Sequence, residues 1–165
     1  MPVTTEVVPV TLAMVHALLA GDDVFASRYG VAVARGYLDF PDVLPVVRDT
    51  LGAGMAPEWF SHLILDRETL TVVGFGGYKG PPVDGEVEIG YSVAPDFRRR
   101  GHASAAVDQL VARARARGIQ VVSANTLAEA NASTRLLERA GFARTEVLHD
   151  EELGGVWRWE LRLDV

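Results

Sequence analysis

The chain has 165 residues, 48% of them hydrophobic, and a formal net charge of -6. That length suits one domain, 1–165, with a real core, and that charge argues against bulk attraction to nucleic acid. There is no cysteine, which excludes disulfides, a thiolate zinc site and a cysteine nucleophile.

The N-terminal stretch has an apolar patch but no basic leader, and no apolar run is long enough to span a bilayer. A soluble cytoplasmic protein without a membrane partner is the expectation, so the sequon Asn131-Ala132-Ser133 has no bearing on glycosylation. "TTEVVPV" reads as a first strand, and Thr11 as the cap of a helix over "LAMVHALLA" that Gly21 stops. From Asp22 to Gly54, helical pieces mix with Pro41, Pro45 and several glycines, so this region reads as loosely helical. "WFSHLIL" and "TLTVVGFGGYK" read as two strands around a turn at Asp66-Arg67-Glu68, and "EVEIGYSV" as a fourth. "ASAAVDQLVARARARG" has helical spacing, with Ala103, Ala106, Val107, Leu110, Val111 and Ala114 on one face. A short strand "IQVVSA", a helix "ASTRLLERAGF" and a strand pair around Gly154-Gly155 complete the chain. The class is mixed α/β.

The densest positive charge lies in "VAPDFRRRGHAS", Val93 to Ser104, between a strand and a helix. A helix start carries free N–H groups and a partial positive charge, a natural anion site. Gly101 permits close backbone approach, and Arg98, Arg99 and Arg100 add charge. A diphosphate fits such a turn; the alternative is a solvated basic turn. No G-x-x-x-x-G-K-[ST] loop is present, and "GFGGYKG" places Lys79 where a dinucleotide fingerprint needs its third glycine.

Arg98-x-x-Gly101-x-Ala103 after "EIGYSVAP" resembles the acetyl-CoA signature [RQ]-x-x-G-x-[GA] of the GNAT superfamily, and "NTLAEANASTRLLERAGF" resembles its later motif. The likeness is greatest to ribosomal-protein and antibiotic N-acetyltransferases. It implies a central, mostly antiparallel seven-stranded sheet, splayed after a bulge between strands 4 and 5, with about four flanking helices. It also implies that the amides of Arg98 to Ser104, including His102 and Ala103, hold the pyrophosphate of acetyl-CoA, with the His102 side chain over a phosphate. Tyr91 and Val93 would pair with the pantetheine arm, and Asn131 and Ser133 would contact the cofactor. For Asn131, a plain helix cap is an equal reading. The implied function is N-acetyl transfer to a small-molecule or peptide amine by direct attack in a ternary complex, without a metal, by a monomer or homodimer. Transfer of another acyl group, such as succinyl, and non-catalytic acyl-CoA binding are the alternatives.

An ammonium cannot attack a thioester, so a base and a carbonyl-polarising donor are needed. Glu88 and Glu86 share a strand face by period two and are the candidate bases, Glu88 first. His62 comes next, then His149 beside Asp150. The N–H of Val93 is the candidate donor. Many relatives in the superfamily place a tyrosine four residues before Gly-Phe as general acid; here Leu137 stands there, with Ser133 nearby. The acceptor site is expected among Asp22, Asp23, Asp39, Asp42, His149 to Glu152, and the aromatics Tyr29, Tyr37, Phe40, Trp59 and Trp157. Acid with aromatic surface would suit a cationic amine.

Overall fold

A computed structural model describes residues 4–152 and 154–163. The elements run β1 (Thr5–Pro9), α1 (Leu12–Ala20), α2 (Asp22–Tyr29), β2 (Ala32–Val33), α3 (Val43–Gly52), β3 (Ser61–Asp66), β4 (Thr71–Tyr78) and β5 (Glu86–Val93). After these come α4 (His102–Ala116), β6 (Val121–Leu127), α5 (Ala132–Arg139), β7 (Ala143–Asp150) and β8 (Gly154–Arg162). The sheet order is β1-β3-β4-β5-β6-β8-β7, with β2 paired to β4. Only β5·β6 and the two-residue β2·β4 pair are parallel among the described strands. The mixed α/β class and the element order agree with the sequence, but the described residues form an eight-stranded sheet rather than a seven-stranded one, flanked by five helices rather than about four. The differences fall within the Asp22–Gly54 stretch, where local signals conflict. Gly21, at φ 143°, separates α1 from α2, and β2 forms only because β4 lies beside it.

Local chemistry explains the helix ends. The Thr11 hydroxyl accepts a hydrogen bond from the Met14 N–H at 3.2 Å and starts α1. Asn131 and Thr134 cap α5 reciprocally: Asn131 Oδ1 accepts from the Thr134 N–H at 3.0 Å, and the Asn131 N–H donates to Thr134 Oγ1 at 2.9 Å. On α4, Ala106, Val107, Leu110, Val111 and Ala114 are buried, as their spacing predicts.

Two cores lie on opposite faces of the sheet. One packs α4 and α5 residues, including Leu110 and Leu137, against Val87, Ile89, Val93, Ala124 and Trp159. The other packs α1, α2 and α3 residues, including Val15, Phe25 and Val47, against Leu63 and Val72. Every residue of the edge strand β7 is exposed.

Candidate active site

The parallel pairing of β5 with β6 stops at Ile89 and Ala124, yet β5 continues to Val93 and β6 to Leu127. An opening therefore lies between Gly90–Val93 and Asn125–Leu127. The splay forms without a bulge on β5: its register with β4 runs unshifted from Tyr78↔Ile89 to Gly74↔Val93. Along a strand, successive residues direct their N–H and C=O groups to alternate sides. The Glu88 carbonyl accepts from the Lys79 N–H, toward β4. Tyr91 and Val93, at odd steps from Glu88, thus turn their backbone groups into the opening. The Val93 carbonyl there accepts from Arg98 Nε at 3.0 Å.

Past Val93 a one-turn 3₁₀ segment, Pro95–Phe97, leads to Gly101, the residue before α4. Gly101 sits at φ 87°, in the left-handed region, and no side chain caps α4. Among the described residues, none of the N–H groups from Arg99 to Ser104 donates to a protein acceptor. The three arginines differ. Arg98 is tied to Val93, and the Arg100 guanidinium stacks 4.9 Å from the Phe97 ring centre. Arg99, exposed and at φ 64°, engages no partner among the described residues.

His102 departs from expectation. Its side chain is buried and shares a 2.8 Å hydrogen bond between Nδ1 and the Thr5 hydroxyl, with Asp66 3.9 Å from Nε2. Burial lowers its pKa, Asp66 pulling the other way. Its ring therefore braces α4 against β1 and β3, and only its N–H belongs to the turn. Ala103 is half-buried and Ser104 exposed.

Across the opening stands the start of α5. Asn131 caps α5, a role compatible with contact to a cofactor in the opening. The Tyr91 hydroxyl is buried and, among the described residues, completes no hydrogen bond. Burial raises its pKa, and Ser133 is near enough to pull it down. Leu137 is fully buried in the apolar core, so α5 offers no hydroxyl at that position.

The other face of β5 carries Glu86, Glu88, Gly90 and Ser92, alternating with buried Val87, Ile89 and Val93. Glu86 accepts from Arg158 at 2.6 Å, and Arg158 also donates to Glu160 at 3.1 Å. Glu88 has no hydrogen-bond or ion-pair partner among the described residues and sits two residues, about 7 Å, from Gly90. His62 faces the opposite side. It is buried, its Nδ1 hydrogen-bonded to the Phe60 carbonyl at 2.9 Å, its ring edge-on to Tyr78. Burial, with Arg113 and Arg117 also acting, lowers its pKa to about 4. His149 is exposed on β7, three strands from β5, opposite Gly155 and beyond the point where β5 and β6 part. Neither histidine reaches the face that bears Glu88.

On that face, between α3 and the β4·β5 pair, lies a cleft of about 330 Å³. Of the expected acceptor residues, Asp39 and Phe40 line it. Tyr37 is buried, with its pKa pushed up to about 12 by burial and by Asp22. Trp59 packs against Tyr78 and under Arg117, and Trp157 under Arg144. The sequence did not reveal the roles of Arg158 or of the α3 valines. Alternation in "VWRWELRL" does mark Arg158 and Glu160 as one polar face, but nothing local gives the β8 register that brings Arg158 to Glu86.

Residues 38–142, more than half of the chain, match the model of the acetyltransferase (GNAT) family. The chain belongs to the GNAT acetyltransferase family. It is an acyltransferase, and GNAT acetyltransferases use acetyl-CoA. Among solved structures, it is similar to a ribosomal L7/L12 alpha-N-protein acetyltransferase in complex with coenzyme A, at 19% identity and TM-score 0.70, covering 99% of this chain and 97% of that one. It is also similar to the ribosomal-protein-S5-alanine acetyltransferase from Vibrio fischeri, at 12% identity and TM-score 0.68, covering 98% and 94%. A spermidine N-acetyltransferase chimera that includes Vibrio cholerae sequence aligns at 11% identity and TM-score 0.69, covering 96% and 95%. These likenesses show the GNAT fold. Comparison with curated protein sequences finds no match. Among the described residues, no helix is long and apolar enough to cross a membrane.

Proposed function

We propose that residues 1–165 form one N-acetyltransferase domain that moves an acetyl group from acetyl-CoA to a primary amine by direct attack in a ternary complex. The carrying observation is the run of free N–H groups from Arg99 to Ser104, at the end of the β5–β6 opening. Backbone donors at a helix start suit a diphosphate, and unsatisfied donors there otherwise need water. Arg99 is the arginine free to add charge, while Arg98 and Arg100 brace the turn. The exposed backbone edge of Tyr91 and Val93 suits the amide-bearing pantetheine arm. Asn131 and Ser133 flank it from α5.

When bound, acetyl-CoA supplies a thioester carbonyl open to attack by a neutral amine. An amine of pKa about 10.4 is neutral at pH 7 in only about one molecule in a few thousand. Glu88, on the same face of β5 as the cleft though not lining it, and unpaired among the described residues, takes the amine proton directly or through water. Glu86 is less suited, because Arg158 holds its carboxylate. The Val93 N–H faces the opening and donates to the carbonyl oxygen as negative charge develops, while the Tyr91 backbone pairs with the pantetheine arm. With Leu137 in the apolar core, the Tyr91 hydroxyl and Ser133 are the protic groups on the α5 side.

Calorimetric titration with acetyl-CoA, and with succinyl-CoA beside it, tests this reading. Micromolar binding that favours acetyl-CoA, followed by thiol release on adding an amine, is the expected result. Absence of binding to either would overturn it, and a preference for succinyl-CoA would replace acetyl transfer with succinyl transfer.

A further inference from the structure

The cleft beside Gly90 is mostly apolar. Val43, Val46 and Val47 form one wall, and Phe40, Phe60 and Phe75 the others. Phe40 is 75% exposed and Val46 58%. Core packing does not account for two such side chains at one lip, and adjoining exposed apolar residues mark binding surfaces. At about 330 Å³ the cleft is at the small end of ligand sites, which run from about 300 to 1,000 Å³. That suits one residue-sized ligand rather than an extended chain.

Charge at the floor narrows the choice. Lys79 lies across Gly90: a Cβ placed on Gly90 would come 3.1 Å from Lys79 Cε and 3.5 Å from Nζ. Lys79 has no ion-pair partner among the described residues. A free ammonium beside the reacting strand repels a polyamine and attracts a carboxylate next to the incoming nitrogen. Asp39 is the acidic residue at the cleft, on the loop before α3. The acidic run His149 to Glu152 is on β7 and the turn after it, away from this cleft.

Resting on the acetyltransferase reading, we infer that the acceptor is a free α-amino acid with an apolar or aromatic side chain. Its side chain fills the valine and phenylalanine cleft. Lys79 holds its carboxylate, and its α-amine lies over Gly90, between the β5–β6 opening and Glu88. Glu88 takes one proton from the α-ammonium, the neutral nitrogen bonds to the acetyl carbon, the carbon–sulfur bond breaks, and the second amine proton goes to the departing thiolate, which leaves as coenzyme A.

Thiol release from acetyl-CoA is measured with L-phenylalanine, L-leucine, phenethylamine, a phenylalanyl peptide, spermidine and kanamycin. L-phenylalanine should exceed phenethylamine, which lacks the carboxylate, by about tenfold or more in kcat/KM, and spermidine by more. K79M should bring the phenylalanine-to-phenethylamine ratio near one by raising KM for the amino acid, and K79R should preserve it. V46D, at a site too exposed to disturb folding, should raise KM for L-phenylalanine about tenfold or more. Preference for spermidine, kanamycin or phenethylamine, or no turnover of the apolar amino acids, overturns this assignment. Preference for the peptide moves the acceptor to a protein N-terminus and overturns it equally. Calorimetry with coenzyme A keeps the two claims apart: lost cofactor binding removes the acetyltransferase reading as well, whereas intact binding confines the failure to the acceptor.

Discussion

Placing an alanine and an aspartate in turn at position 101 separates the backbone role of Gly101 from its electrostatic one. Gly101 sits at φ 87°, ψ 5°. An L-residue there costs roughly 1–2 kcal/mol. For a chain of 165 residues, that lowers Tm by about 2–8 °C. Gly101→Ala should show this loss. Gly101→Asp should lose no more in Tm, because aspartate tolerates the left-handed region better than alanine. Its carboxylate, however, adds a negative charge among the free N–H groups of Arg99 to Ser104. Two like charges about 6 Å apart at an effective dielectric of about 20 repel by about 3 kcal/mol, or about a hundredfold in affinity. Thermal melts and calorimetry of coenzyme A, run on both variants, read the two effects separately. Equal coenzyme A affinity for the alanine and aspartate variants would refute the anion-site argument, whatever happens to Tm.

Other perturbations have equally definite signs. Glu88→Gln should lower kcat by at least tenfold with the coenzyme A Kd unchanged, and Glu86→Gln should lower it less; the reverse order, in steady-state kinetics, would exchange their roles. Tyr91→Phe removes a buried hydroxyl that completes no hydrogen bond among the described residues, so Tm should hold or rise by a few degrees while kcat reports any part in thiolate departure; a clear fall in Tm would reveal a partner, Ser133 being the nearest hydroxyl. His62 titrates at about 4 in the fold against about 6.5 unfolded, so its contribution is present above pH 6.5 and lost as pH falls toward 4. About 3 kcal/mol rides on that window, and urea titrations at pH 7 and pH 4 should show His62→Gln with a visibly flatter pH dependence than the parent chain. Arg158→Met leaves Glu86 and Glu160 facing each other half-buried and should cost about 1–3 kcal/mol of stability, read as a shift of the urea midpoint.

The parts of the fold readable in advance are those governed by short-range rules. The α4 stripe, the Asn131 cap and the strand alternation of β5 follow from spacing alone. So does the turn at Gly101, because only a helix start and a left-handed residue were needed to mark it. The parts that stayed closed depend on neighbours distant in sequence. β2 pairs with β4 39 residues later, His102 turns inward because Thr5 and Asp66 await it, and Glu86 differs from Glu88 because Arg158 sits 72 residues away. Phe40 and Tyr37 look alike in the sequence, three residues apart, and only tertiary packing sends one to the cleft lip and the other into the core.

The two apolar cores on opposite faces of the sheet have a consequence for how such a chain can change. Under the proposed function, the donor end of the molecule rests on one of them, through α4 and α5, and the lip of the acceptor cleft on the other, through α3. A substitution among the α3 valines should therefore change acceptor choice without loosening α4, the helix proposed to hold the donor. Pairs of substitutions drawn one from each core should be close to additive. A lineage can exchange acceptors by drift in one layer while the other stays under constant demand, which is how one scaffold can come to serve many amines.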